Sequence, residues 1–236
     1  MGDCIIICGG DEAGRGAVIG PLVIALVVTS RVVEKRFTKI GVRDSKMLRP
    51  KRREELYSKI LKLSADVKVD SIMPSEINAA MRNRISLNEL EAVHFAKLFD
   101  QVKDEVGAFY LDSPDVIAEK FGVRVNMSSV KPTKVKGIKA QTAERACTRI
   151  IAEHKADSKY PVVSAASIIA KVTRDREIRR IERSLGVKIG SGYPSDARTV
   201  DLVRRYLNGS KLDGHLRDRW STIDRIRQTS ITKFMK

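Results

Sequence analysis

The sequence predicts an α/β fold in which a sheet is flanked by helices. Three features carry that expectation: short β-branched runs bounded by glycine, longer stretches with apolar residues at helical spacing, and alternation of the two along the chain. The 236 residues suffice for one good-sized domain, or a domain with a small appendage. Hydrophobic residues make up 42% and aromatic residues only 5%, so the core must be mainly aliphatic.

Taken in order, Cys4-Ile-Ile-Ile-Cys8 reads as a buried strand that ends at Gly9-Gly10. Leu22 to Thr29 is a second buried, β-branched strand. The run after Pro50 is a helix with Leu56, Ile60 and Leu63 on one face. Ser86-Leu-Asn-Glu89 has capping-box spacing before a helix running toward Val102. Ala108 to Leu111 is a short strand that delivers Asp112 at its end. Ala143, Ala146, Cys147, Ile150, Ile151 and His154 recur at helical spacing, yet Ile150-Ile151 also suits a strand, and periodicity leaves both open. Ser164 caps a long helix that stops at Gly186. The segment after Gly190 reads as a helical appendage, giving an expected division into residues 1–189 and 190–236.

Charge narrows the function classes. Lys and Arg total 45 against 29 Asp and Glu, a formal net charge of +16. A surplus of that size points to a polyanion, nucleic acid ahead of an anionic membrane; the plainer reading is a highly charged, soluble surface. Cys4, Cys8 and Cys147 form no CxxC pair and fit a reducing cytosol better than a disulfide scaffold. The start of the chain lacks a basic region leading into a cleavable apolar segment. The longest apolar stretch, Val18 to Thr29, is interrupted by Gly20 and Pro21 and is too short to span a bilayer. A cytoplasmic, monomeric protein without membrane contact is expected.

The densest signal is Gly9-Gly-Asp-Glu-Ala-Gly-Arg-Gly16, set after the first strand. A Walker loop is excluded because Arg15 and Gly16 stand where Lys and Ser/Thr are needed. The dinucleotide fingerprint GxGxxG fails at Ile19. Asp11 and Glu12 would in any case repel a phosphate. Adjacent acids at the carboxyl end of a strand instead suit a hard cation bound by oxygen, in the place where ligands of open α/β sheets collect. The plainer reading makes Asp11 a turn residue and Glu12 a solvated one.

Five stretches decide between them. GGDEAGRGAVIGPLVIA from Gly9, RDSKML from Arg43 to Leu48, YLD from Tyr110 to Asp112, EHKADSKYPVVSAASIIAKVTRD from Glu153 to Asp175 and SGYPSD from Ser191 to Asp196 occur in this order. Together they resemble the ribonuclease HII family, in its archaeal or eukaryotic wording. The resemblance implies a ribonuclease H-like mixed sheet flanked by helices, with a small C-terminal helical appendage. It also makes Ile150 to His154 a short strand leading toward Asp157.

The same resemblance implies that Asp11, Glu12, Asp112 and Asp157 are catalytic metal ligands, and that the enzyme cuts the RNA strand of RNA–DNA hybrids and ribonucleotides embedded in duplex DNA. Oxygen-only ligation favours Mg²⁺ or Mn²⁺, since zinc would recruit His or Cys and the three histidines form no zinc motif. Two ions flanking the scissile phosphate would leave a 5′-phosphate and a 3′-hydroxyl. Gly14, Arg15 and Gly16 match the element that contacts the ribonucleotide through its 2′-hydroxyl. Tyr193 matches the residue that packs on the neighbouring sugar, and Lys46 the one that holds a phosphate; Asp44 is left as a turn residue.

Lys131, Lys134, Lys136 and Lys139 lie in an acid-free stretch suited to a duplex backbone. Arg174, Arg176, Arg179, Arg180 and Arg183 are interleaved with acids and read as a salt-bridged helix surface. Residues 228–235 resemble the peptide by which replication and repair proteins bind the sliding clamp (PCNA): Gln228, Ile231 and Phe234 match, while Met235 replaces the second aromatic. The competing reading docks this tail on the protein's own core, as expected for Trp220, Ile223 and Ile226. Two rival functions stand beside the leading one. The sister ribonuclease HIII normally carries an extra N-terminal substrate-binding domain, whereas this chain enters its catalytic strand almost at once; a non-catalytic nucleic-acid binder would need the charge alone.

Overall fold

A computed structural model of the chain describes residues 5–43, 45, 48–129, 134–135, 149–207 and 209–234, without the side chains of 134–135 and 229–234. The elements are β1 (Ile6–Ala13), β2 (Leu22–Ser30), α1 (Arg31–Lys39), α2 (Pro50–Leu63), β3 (Asp66–Ile72), α3 (Pro74–Arg82), α4 (Leu87–Phe99), β4 (Ala108–Asp112), α5 (Ala118–Ser128), β5 (Lys134–Val135), β6 (Arg149–Glu153), α6 (Ala156–Lys159), α7 (Pro161–Leu185), α8 (Ala197–Tyr206) and α9 (Ser221–Phe234). The strands form one mixed sheet in the order β3-β2-β1-β4-β6-β5. β1 pairs antiparallel with β2, while β1, β4, β6 and β5 run parallel. This is the α/β, ribonuclease H-like class expected. No helix among the described residues is long and apolar enough to cross a membrane.

Two compact units account for the chain, and each has its own core. The first comprises Met1–Ala13, Val23–Asp70 and Asn88–Val172; the second comprises Gly14–Leu22, Ser71–Leu87 and Thr173–Lys236. In the first, one face of the central strands (Ile7, Val23, Ala25, Val27) packs against Phe37, Leu56, Ile60 and the apolar start of α7 from Val162 to Val172. In the second, Val18 and Ile19 pack with Ile178, Ile181, Ile189, Leu202, Val203, Ile223 and Ile226. Trp220 packs against that core as expected. The boundary drawn from sequence at residue 190 falls inside the second unit.

The first strand departs from expectation. β1 does not end at Gly9-Gly10 but runs through both to Ala13. The glycines serve close packing rather than a turn. A Cβ on Gly9 would lie 2.5 Å from the backbone carbon and oxygen of Val162, and one on Gly10 would lie 2.8 Å from Leu111 Cδ2 and 2.9 Å from Leu26 Cδ2. Helix and strand meet backbone to backbone there, a separation that only glycine permits. Asp11 and Glu12 therefore belong to the strand itself. Cys8 beside them is fully buried; burial, with Asp66 adding to it, pushes its thiol far above the ordinary range, so it acts as a small hydrophobe.

Helix ends follow the local chemistry. Pro50 opens α2, where its missing N–H costs nothing, and Leu56 and Ile60 are fully buried. α4 begins directly after Ser86, where the capping-box spacing puts it. α7 starts at Pro161, three residues before Ser164, so Ser164 sits within the first turn and is not the cap. The helix stops before Gly186, whose φ of 64° is the left-handed conformation that ends helices. The open choice near Ile150 resolves to strand over Arg149–Glu153, with Ala143, Ala146 and Cys147 outside the described residues.

Candidate active site

β1 and β4 are paired in parallel from Ile7↔Ala108 to Gly10↔Leu111, so their carboxyl ends lie side by side. The next residues on the two strands are Asp11 and Asp112, and Glu153 of β6 stands opposite Asp112. Three parallel strands thus carry acids at or near their carboxyl ends, on one side of the sheet and within the first unit.

Asp11 is 4% exposed. Its Oδ1 accepts the Glu12 N–H at 2.8 Å, and its carboxylate also accepts from the Ser167 hydroxyl. Burial first, then the charge of Glu12 and more weakly that of Asp112, raise the Asp11 carboxyl well above its ordinary value; the Ser167 bond opposes them. Ser167 Oγ lies in turn 2.9 Å from Ser45 Oγ, and both serines are buried. A pair of hydroxyls 122 residues apart in sequence therefore links the RDSKML segment to Asp11.

Asp112 is held from the other side. Its Oδ1 accepts the Ala156 N–H at 2.9 Å. The chain turns into that position through Lys155, whose φ of 54° and ψ of 39° are left-handed, an arrangement costing a non-glycine residue about 1 kcal/mol. Asp157, the residue after Ala156, is buried, and its backbone carbonyl accepts from Ser164 Oγ. Ser164 and Ser167, one helical turn apart on α7, thus fasten Asp157 and Asp11 respectively.

Asp11 is within electrostatic reach of both Glu12 and Asp112, and the residue preceding Asp157 is tied to Asp112. No three His, Cys, Asp or Glu residues among the described ones close into a group that could hold an ion. One physical reason is the strand itself: Asp11 and Glu12 are neighbours in β1, so their side chains leave on opposite faces. Repulsion of buried Asp11 by Glu12 and Asp112 works in the same direction. The donors are all hard oxygens, Glu12 Oε2 is shielded from solvent, and Asp11 bears a repulsion that positive charge would relieve. By donor chemistry the residues fit a hard divalent cation.

Gly14, Arg15, Gly16 and Tyr193 belong to the second unit. Gly14 has φ 98° and is buried, so glycine is required there. Gly16 is exposed, and a Cβ on it would meet nothing within 4 Å, so neither packing nor backbone explains it. The loop is fixed by Arg217, which is fully buried: Nη1 donates to Arg15 O at 3.0 Å, while Nε and Nη2 donate to Gly20 O at 3.1 and 3.0 Å. Tyr193 is half-buried beneath the guanidinium of Arg174, 4.5 Å from its ring centroid.

Lys46 and Asp44 lie outside the described residues, as do Lys131, Lys136 and Lys139, while Lys134 opens β5. Gln228 is an exposed residue of α9; Ile231 and Phe234 belong to the same helix, with side chains outside the description. One sequence expectation needs correction. Arg174 does not lie on a salt-bridged surface but is 2% exposed, because α7 turns that position into the second unit. Arg180, by contrast, does pair with Glu177 at 3.7 Å. Sequence reasoning also missed Ser45, Ser167 and Arg217; two serines three apart on an otherwise apolar helix start were the available signal for Ser167.

Comparison with known proteins places these features. The family model for ribonuclease HII matches residues 8–223. Ribonuclease HII of Pyrococcus abyssi is 40% identical over 223 residues, covering 94% of this chain and 91% of the relative. The crystal structure of ribonuclease H2 from Pyrococcus horikoshii OT3 superposes with a TM-score of 0.76 at 38% identity, covering 95% of this chain and 98% of the other. The Archaeoglobus fulgidus enzyme, solved as a PCNA:RNase HII complex, superposes with a TM-score of 0.77 at 38% identity, covering 92% and 96%. A match of that span sets aside the non-catalytic reading and places this chain in the ribonuclease HII family, as a metal-dependent endoribonuclease with ribonuclease H activity.

Proposed function

We propose that the chain hydrolyses the RNA strand of RNA–DNA hybrids and also cuts at ribonucleotides embedded in duplex DNA, leaving a 5′-phosphate and a 3′-hydroxyl. The observation that carries this reading is the pair of acids at the adjoining ends of β1 and β4, buried Asp11 beside Asp112. Asp11, Glu12, Asp112 and Asp157 are the residues that would hold divalent ions, Mg²⁺ or Mn²⁺. When bound, two such ions supply a water-derived nucleophile on one side of the scissile phosphate and charge stabilisation for the departing 3′-oxygen on the other. The protein's own part is orientation. Ser167 and the Glu12 N–H fix the Asp11 carboxylate, and the Ala156 N–H fixes that of Asp112.

Ribonucleotide recognition falls to the second unit. Gly14, Arg15 and Gly16 present backbone N–H groups to the 2′-hydroxyl, the group that separates RNA from DNA. The open space at Gly16 supports this, since a side chain there would obstruct only a ligand. Tyr193 packs on the neighbouring sugar, and Lys46 holds a phosphate. Residues 1–189 act as the catalytic region and 190–236 as a helical extension. Its end, residues 228–235, binds a sliding clamp: Gln228, Ile231 and Phe234 recur every third residue in α9, and an Archaeoglobus fulgidus relative was solved with PCNA. A cytoplasmic monomer serving DNA replication and repair completes the reading.

The deciding assay uses a duplex containing one ribonucleotide, incubated with Mg²⁺, with Mn²⁺ and with chelator. Cleavage at the ribonucleotide with either ion, and none with chelator or in Asp11→Asn, is the expected result. Metal-independent cutting, or retained cutting by Asp11→Asn or Asp157→Asn, would refute the assignment. Removal of the last nine residues should abolish clamp binding while leaving cleavage intact; undiminished clamp binding overturns the role given to the tail.

A further inference from the structure

Arg174 is expensive to keep where it is. It is 2% exposed and, among the described residues, forms no ion pair. Its Nη2 donates to one neutral acceptor, Ser191 O at 2.9 Å, and its Nε has no hydrogen-bond partner. Burial lowers its pKa, with Tyr193 and Asp175 only partly offsetting that. A buried cation with so little compensation is a poor device for stability, because an apolar side chain of similar length would fill the same space without the desolvation cost.

What surrounds it is informative. The guanidinium lies 4.5 Å from the centroid of the Tyr193 ring. A Cβ on Gly14 would stand 2.5 Å from Arg174 Nε, and one on Gly192 would stand 2.9 Å from Nη2. Both glycines have positive φ, at 98° and 78°. The Gly-Arg-Gly loop and the Gly-Tyr-Pro turn therefore each give up a side chain at the point where this arginine passes. Ser191 O, which it binds, is two residues before the ring it covers. One flat, charged group thus touches both segments to which the reading above assigns recognition of the ribonucleotide.

We infer that Arg174 is a positioning residue for ribonucleotide recognition, setting the Tyr193 ring against the Gly14 loop by stacking on one and abutting the other. It touches no substrate in this role and acts through Tyr193. The inference rests on the assignment of Tyr193 to the sugar beside the junction.

The experiment is a double-mutant cycle with Tyr193→Ala, Arg174→Met and the combined variant, each folded as judged by thermal unfolding. The readout is kcat and KM on a duplex with one ribonucleotide. Tyr193→Ala and Arg174→Met should each reduce kcat/KM by roughly ten- to hundred-fold, the scale of a small misplacement at a reacting centre. The combined variant should be no worse than Tyr193→Ala alone, and Arg174→Lys, which retains a cation over the ring, should recover part of the loss. If Tyr193→Ala is impaired while Arg174→Met is normal, or the two losses multiply, the inference falls and the reading of Tyr193 stands. If Tyr193→Ala cleaves normally, the reading falls and takes the inference with it. Should Arg174→Met fail to fold, the cycle is run with Arg174→Lys, and multiplying losses again overturn the proposal.

Discussion

At the scale of single residues, the candidate site centres on one acid kept in unfavourable surroundings. Asp11 is buried beside Glu12 and Asp112, and its carboxyl is raised well above the ordinary value by burial first and by those charges second. The folded protein therefore holds a proton that the unfolded chain releases, and stability falls as pH rises from the ordinary aspartate value of about 3.9 toward the raised one. Asp11→Asn removes that penalty. In the absence of metal it should raise the free energy of unfolding at neutral pH by about 1 kcal/mol while abolishing cleavage; a destabilised variant in urea titration contradicts this. Ser167 offers the complementary test. Ser167→Ala deletes a hydroxyl that orients Asp11 and should weaken activation by divalent metal roughly tenfold, visible as a higher metal concentration at half-maximal rate. An unchanged metal requirement would show that the Ser45–Ser167 pair is only packing.

At the scale of elements, what holds each segment is as informative as what it carries. Arg217 gives three hydrogen bonds to the carbonyls of Arg15 and Gly20 from a fully buried position. Arg217→Ala leaves those carbonyls unsatisfied and should cost about 3 kcal/mol in unfolding free energy, measured by denaturant titration. On β3, burial would push the Asp70 carboxyl up, but His94 of α4, 2.9 Å away, outweighs this with help from Lys97 and holds it below its usual range. A lowered folded value means stability that is complete above the ordinary aspartate pKa and lost as pH falls through the lowered one. The stability gap between the wild type and Asp70→Asn should accordingly be constant near neutrality and close below about pH 4. A gap that widens in acid would reverse the sign.

Sequence legibility divides along the same line. Asp11 and Asp112 were readable because a strand pattern ends at each, and the motif order added Asp157. Ser45 was not, because its partner is 122 residues away and nothing local marks the pairing. Arg174 was misread because charges alternate around it; from Thr173 onward α7 belongs to the second unit, and spacing along one helix does not reveal that. The glycines of β1 misled in the opposite direction, since close approach and turning use the same residue.

At the scale of the whole molecule, the net charge of +16 becomes a statement about binding. Neutralising phosphates releases counterions, so affinity should fall steeply with salt. With Asp11→Asn used to prevent cutting, hybrid binding measured by fluorescence anisotropy should weaken about a hundred-fold or more between roughly 50 and 200 mM salt. Affinity independent of salt would mean that the basic surplus faces something other than a phosphate backbone. In this reading the acids belong to the first unit, while the Gly14 loop, Tyr193, Arg174 and Arg217 belong to the second.

Gly9 has a consequence for anyone trying to improve such an enzyme. Because bare main chain of α7 rests against bare main chain of β1, with no flexible side chain as a cushion, the two cannot be tuned separately. A random library will lose nearly every member altered at that position. Useful diversity must come instead from the periphery, where a residue can change shape without dislodging the joint beneath the acids.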